Sequence, residues 1–264
     1  MGRRRPACGN LRRSQTRHLL LVTCYFYVIS NFPPSPFRGG GVGEERCFLS
    51  LIMFIQRFIC NFIEENCYVL WDDTREAVLV DCGAQTAQEQ TAVIEFIKDN
   101  KLTPVSHLLT HGHFDHIFGA QALYDVFGLS PRVHTADVST YYGAAEQMLL
   151  FLHRRIDIEL PQLGPTISGD EEIRFGTHTL RVIHTPGHTP GGVCYYIADE
   201  HLLLSGDSLF RGSIGRCDLP GSDHRALIIS LRERVLTLPE ETIVLPGHGP
   251  QTTIAAERHN PYLL

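Results

Sequence analysis

No Cys-x-x-Cys pair occurs among the eight cysteines (Cys8, Cys24, Cys47, Cys60, Cys67, Cys82, Cys194, Cys217), and their scatter gives a disulfide framework no pattern to rest on. Several lie in apolar strand-like runs, where cysteine packs as a small hydrophobe, which suits a reducing, cytoplasmic compartment. An apolar run of membrane-spanning length is also lacking. The early run Leu19–Ile29 is too short for a membrane span, so no stable membrane association is expected; after its basic start it resembles a signal-peptide core, although no small-residue cleavage site follows. Acidic residues are missing before Glu44, and residues 1–52 carry eight arginines against Glu44 and Glu45, a charge of about +6. Positions 53–264 then hold 15 basic and 27 acidic residues, about −12. Such a body lacks the clustered lysine and arginine that track a phosphate backbone, which argues against nucleic acid as a partner.

The remaining composition, 43% hydrophobic and 20% charged, is that of a soluble globular chain able to bury a core without covalent staples. Residues 1–52 are expected to form a poorly ordered extension, or to reflect a start placed too early with Met53 as the working start. Residues 53–264 are expected to fold as one domain. Within it "FIQRFIC", "NCYVLWD" and "EAVLVDC" read as strands, followed by a helix over 86–100 and a strand "VSHLL". Gln121–Phe127 and Ala136–Arg154 read as helices around a short strand "RVHT". The strands "EIRF", "HTLRVIH", "VCYYIA" and "HLLLSGD" come next, then a helix over Asp223–Leu236 with Asp223 as its cap, and a last strand "TIVLPGHG". Two groups of strands, each with helices after it and no compositional break between, point to an α/β fold of two sheets flanked by helices.

Four of the apolar runs end in metal-ligand chemistry. "LLTHGHFDHIFGA" sets His111, His113, Asp115 and His116 within six positions, "TPGHTPGG" carries His188, "SGD" ends in Asp207 and "LPGHG" carries His248. Glycine and proline beside each one (Gly112, Pro186, Gly187, Gly206, Pro246, Gly247) let the backbone turn and aim the side chain. Ligands at the ends of several strands share one rim of a sheet, where α/β proteins place their sites. Five imidazoles and two carboxylates exceed what one ion takes and suit two divalent ions with a shared carboxylate. That donor set favours zinc, with iron and manganese also compatible. Two such ions sharing a water would yield hydroxide at neutral pH.

The run "VLVDCGA", "THGHFDH", "TPGHTPGG", "SGDSLFRGSIGRCDLPG" and "LPGHGP", in that order, resembles the metallo-β-lactamase superfamily and within it the small glyoxalase II-like hydrolases. The resemblance implies a four-layer αββα sandwich. It implies one metal on His111, His113 and His188, a second on Asp115, His116 and His248, and Asp207 bridging them. Asp115 and Asp207 are then the candidate catalytic carboxylates, and Asp81 a residue that orients a ligand loop, an ordinary turn aspartate being the competing reading. The implied reaction is hydroxide attack on a thioester, a 2-hydroxyacyl glutathione, and the implied partner is that small molecule alone.

Ser205 and Ser208 flank Asp207 without a G-x-S-x-G elbow and read as loop hydrogen-bonders. Asp218 and Pro250 stand where the resemblance expects aromatic residues, and the helical C-terminal domain of glyoxalase II is missing after "ERHNPYLL", which leaves Arg216 as the candidate carboxylate clamp beside the reading of an exposed loop arginine. Alternatives are a general thioesterase or esterase of the same fold, a mono-iron persulfide dioxygenase, and a metal-binding scaffold acting through partners. β-Lactam hydrolysis ranks lower, because those enzymes generally lack the bridging aspartate. Of the other histidines, His184 lies near the site, and His107, His134, His153, His178, His201 and His259 read as surface or satisfied core residues.

Overall fold

The structure, a computed structural model, describes residues 25–29, 53–153 and 158–264. Of the expected extension only Tyr25–Ile29 is described, as strand β1, antiparallel to β2 (Met53–Cys60); its remainder lies outside the described residues. β3 (Glu65–Trp71) and β4 (Glu76–Val80) continue the sheet by antiparallel pairing. Helix α1 (Ala87–Asp99) then crosses back so that β5 (Thr103–Leu108) runs parallel to β4, and α2 (Ala120–Phe127) does the same for the short β6 (Pro131–Arg132). Parallel pairing requires such crossovers. Thr86 caps α1 through a reciprocal pair with Glu89, as Ser/Thr-x-x-Glu spacing favours.

The second sheet is ordered β14-β13-β10-β9-β8-β7. It contains β7 (Glu172–Phe175), β8 (His178–His184), β9 (Val193–Ile197), β10 (Leu202–Gly206), β13 (Ile243–Pro246) and β14 (Thr252–Thr253). A small hairpin, β11 (Leu209–Phe210) with β12 (Ser213–Ile214), interrupts it after β10.

Alternation along the strands builds the layers. Tyr68 and Leu70 of β3, with Val78, Val80 and Leu108, face Leu180, Val182, Tyr195 and Leu204 of the second sheet. Cys67, Val69 and Trp71 face outward onto Val93 and Ile97 of α1 and Leu123 of α2. With both faces covered, every β3 residue is buried, and Cys67–Trp71 reads as a continuous apolar run. On the far side Ile183, Tyr196 and Leu203 pack on Leu227, Leu231 and Val235 of the last long helix. The order helix, sheet, sheet, helix is the expected αββα sandwich.

That last helix is α5 (His224–Ser230), capped by Asp223 as expected and continued by one π-turn over Leu231–Val235. The helix expected over Ala136–Arg154 is broken. A 3₁₀ turn (Thr135–Asp137) leads into α3 (Val138–Tyr142), and α4 (Ala144–Leu152) restarts at Gly143. Asp137, in the turn before α3, directs its carboxylate onto two neighbouring loops, and the interruption itself falls at Gly143, a poor helix former. A last short helix, α6 (Ile254–Glu257), is held through Glu257 against Thr252, Asn260 and Gly212 of the hairpin.

Parallel neighbours end on the same rim, and this places the chemistry. β4 and β5 bring Asp81 beside Leu108 and Thr110, and the Asp81 amide donates to Leu108 O at 2.9 Å. β10 and β13 bring Asp207 beside His248, with the Gly247 amide donating to Gly206 O at 2.8 Å. Tyr195 Oη donates across the interface to Leu109 O at 2.7 Å, and Tyr68 Oη to Pro246 O at 2.8 Å, so each sheet grips the other's ligand-bearing loop.

Candidate metal centre

All seven expected ligands converge at this rim. His111 and His113 lie on the loop leaving β5, Asp115 and His116 on the 3₁₀ turn Phe114–His116 that follows, and His188 on the turn after β8. Gly187, just before His188, has φ +144°, and a Cβ there would lie 2.4 Å from the Leu227 amide, so only glycine passes between the ligand and α5. Two trios form. His113 Nδ1 is 3.1 Å from His111 Nε2 and 3.0 Å from His188 Nε2. Asp115 Oδ2 is 3.1 Å from His248 Nε2 and 3.6 Å from His116 Nε2. Asp207 touches both trios, at 3.6 Å from His188 Nε2, 3.4 Å from His116 Nε2 and 3.7 Å from His248 Nε2. Ligand atoms on a tetrahedral ion with bonds near 2.1 Å stand about 3.4 Å apart, within this spread.

Tautomers explain why these atoms point inward. The outer nitrogen of four rings faces a fixed acceptor: His116 Nδ1 donates to Asp81 Oδ2 at 3.0 Å, His188 Nδ1 to Arg216 O at 2.8 Å and His248 Nδ1 to Ile63 O at 3.0 Å. Thr110 Oγ1 donates to Asp81 Oδ2 at 2.7 Å and so accepts from His111 Nδ1 at 3.1 Å. In its neutral form each ring therefore turns a lone pair inward, toward carboxylate oxygens that also only accept. His116 Nε2 and Asp207 Oδ1 are buried with no hydrogen-bond partner. A cluster of converging acceptors fits divalent cations, and the donor set is the imidazole–carboxylate mixture those ions take.

The electrostatics divide the trios. Burial, reinforced by the neighbouring imidazoles, holds His111 well below the usual imidazole range and takes His113 down to about 3. Burial opposes charge on His116 and His248 too, yet the Asp115 and Asp207 carboxylates, joined at His116 by Asp81, hold both above that range. In return those imidazoles draw Asp115 and Asp207 below the usual carboxylate range against burial.

Asp81 contacts the loop that carries His111 and His116. It is buried, sits at φ +57°, and accepts from the Thr110 amide at 2.7 Å as well as from Thr110 Oγ1 and His116. Ser205 Oγ donates to Leu209 O, and Ser208 Oγ pairs with Thr185 Oγ1. The guanidinium of Arg216 forms a two-pronged pair with Asp218 at 2.7 and 2.8 Å, and both residues are exposed; its carbonyl, which fixes His188, is what joins it to the centre. His184 stacks on His134 at 4.1 Å and donates to Pro190 O, beside the turn that carries His188.

Several supporting residues are not singled out by the sequence. Glu65, fully buried, accepts from the Gly83 amide at 2.9 Å and lies 4.0 Å from His116 Nδ1, and burial pushes its carboxyl well up. Its one signal is an acid opening an otherwise uncharged buried strand. Asn61 Nδ2 donates to Asp115 O at 2.9 Å, and Asn66 Nδ2 to Pro246 O at 2.9 Å. Asp137 ties the loops of His111 and His188 together.

Among known proteins, the profile of the family described as Metallo-beta-lactamase superfamily matches residues 61–248. The hydroxyacylglutathione hydrolase GloC of Haemophilus influenzae is 34% identical over 202 residues, covering 76% of this chain and 93% of that protein. The solved structure of the B3 metallo-beta-lactamase BLEG-1 is 40% identical, covers 79% of this chain and 99% of its own, and superposes with a TM-score of 0.70. The di-iron form of TTHA1623 is 36% identical over 78% of this chain and 98% of its own, with a TM-score of 0.66. The αββα sandwich, the convergent histidines and these matches together make the chain a member of the metallo-β-lactamase superfamily, a family of metallo-hydrolases that bind divalent metals.

Proposed function

We propose that the chain is a dinuclear metal-dependent hydrolase that cleaves a thioester of the 2-hydroxyacyl glutathione type. The observation that carries this reading is the pair of trios joined by Asp207, with lone pairs of both trios directed inward. His111, His113 and His188 would hold one divalent ion and Asp115, His116 and His248 the other, zinc being favoured by the donor set. When bound, the ions supply Lewis-acid activation of the carbonyl and of the attacking water. Asp115 and Asp207 face the same space and orient that water by accepting its hydrogens. His188 and His248 stay in the required tautomer because Arg216 O and Ile63 O hold their outer N–H groups. Water adds to the carbonyl carbon, the C–S bond breaks, and the products are a carboxylic acid and a free thiol. No protein nucleophile is required, in keeping with Ser205 and Ser208 being engaged in loop hydrogen bonds.

The GloC likeness supports the thioester, and the BLEG-1 likeness favours a second reading, opening of a β-lactam ring. Side-by-side turnover of lactoylglutathione, a simple acyl thioester and a chromogenic cephalosporin separates them. The proposed function predicts that kcat/KM for lactoylglutathione exceeds that for the cephalosporin by at least about 10²-fold, a gap of about 2.7 kcal/mol in transition-state binding. The reverse order would overturn it, and turnover of the simple thioester alone would replace it with a general thioesterase.

A further inference from the structure

We propose that Asp137 is a positioning residue for the first trio, holding the loop of His111 and His113 against the loop of His188. This rests on the metal-holding role proposed above. Asp137 is completely buried at the end of the 3₁₀ turn Thr135–Asp137, and its carboxylate takes three donors from two loops. The Gly112 amide, between His111 and His113, donates to Oδ2 at 3.0 Å; Thr189 Oγ1, directly after His188, donates to the same oxygen at 2.7 Å; the Gly191 amide donates to Oδ1 at 2.6 Å. A Cβ on Gly191 would come within 2.7 Å of Asp137 Cβ, so the loop is closed down on this carboxylate with no room for a side chain between. A carboxylate accepting from two backbone amides and a hydroxyl makes short, directional contacts.

The second trio is held by other means. Asn61 fixes the Asp115 carbonyl, Asp81 fixes His116 and Ile63 fixes His248. Loss of the Asp137 carboxylate therefore loosens one trio and spares the other, a selectivity that a general loss of stability would not produce.

The test is competitive zinc titration of the full chain against a chromophoric chelator, with Co²⁺ spectra as a second readout. Asp137→Asn sets an amide N–H₂ against donors and is expected to weaken one of the two metal equivalents by about 10- to 100-fold while the other keeps wild-type affinity. Thr189→Val removes a single donor and is expected to weaken the same equivalent by about fivefold. A folded Asp137→Asn that holds both equivalents as wild type does, or weakens both alike, overturns the proposal. Should Asp137→Asn not fold, Thr189→Val decides, and wild-type affinity there overturns it. A wild-type chain that binds two equivalents yet cleaves no thioester would sink the functional reading and leave this inference standing.

Discussion

In the first sheet one loop after β5 delivers four candidate ligand side chains within six positions, whereas the second sheet gives three separate strand ends, each bearing one. The trios cut across that division, since each combines residues from the β5 loop with a residue of the second sheet. They also differ in charge. The first is all imidazole, with burial lowering His111 and His113, while the second contains Asp115, and the Asp115 and Asp207 carboxylates raise His116 and His248 above the usual imidazole range. Imidazole donors alone add no charge to a cation's surroundings; a carboxylate adds attraction and, by raising the imidazoles beside it, makes metal and protons compete.

The largest expected effect comes from breaking either side. His188→Ala and Asp207→Ala should each remove at least one metal equivalent and lower kcat by more than the ~10- to 100-fold typical of a supporting residue, read by metal analysis and steady-state kinetics. Asp207→Ala should cost more, because it touches both trios. A folded Asp207→Ala with both equivalents and full turnover would show that the trios act separately.

A smaller effect sharpens the contrast from the supporting side. Asp81→Asn retains a residue that tolerates the left-handed backbone found there but loses the charge that orients His116 and the Thr110 loop. Metal affinity should fall by roughly 10-fold or more, mainly at the second trio, as measured by chelator competition. Equal loss at both trios would mean that the Thr110 contact outweighs the one to His116.

The smallest effect on metal binding, none at all, comes from a group in β5 that acts on stability alone, just before the loop. His107 is completely buried, neither ring nitrogen has a hydrogen-bond partner, and burial lowers it to about 3. In the unfolded chain it titrates near 6.5. Between those values the unfolded chain binds a proton that the fold refuses, so stability is full above pH 6.5 and falls as pH drops toward 3, at no more than ~1.4 kcal/mol per pH unit. His107→Phe should flatten that part of the curve in denaturant titrations from pH 7 to 4. An unchanged slope would assign the acid sensitivity to other groups.

How much of this is legible in the sequence depends on how local each signal is. The β5 loop can be read because its ligands share one short segment, and His188, Asp207 and His248 because glycine and proline flank each at the end of an apolar run. The sandwich follows from strands whose opposite faces are both apolar, as in β3. Asp137 escapes because Ala136–Arg154 carries a helical pattern through it, and its three donors lie on two loops distant in sequence. Glu65 escapes because its partners, Gly83 and His116, are distant in sequence. The pairing of Arg216 with Asp218 is local, yet a two-residue separation in a loop carries no geometric signature.

The most direct measurement is lactoylglutathione hydrolysis by chelator-treated protein as zinc is returned one equivalent at a time. Two ions sharing Asp207 predict turnover that reaches its plateau only at two equivalents. A plateau at one equivalent, or no turnover with both bound, would contradict the dinuclear thioester hydrolase.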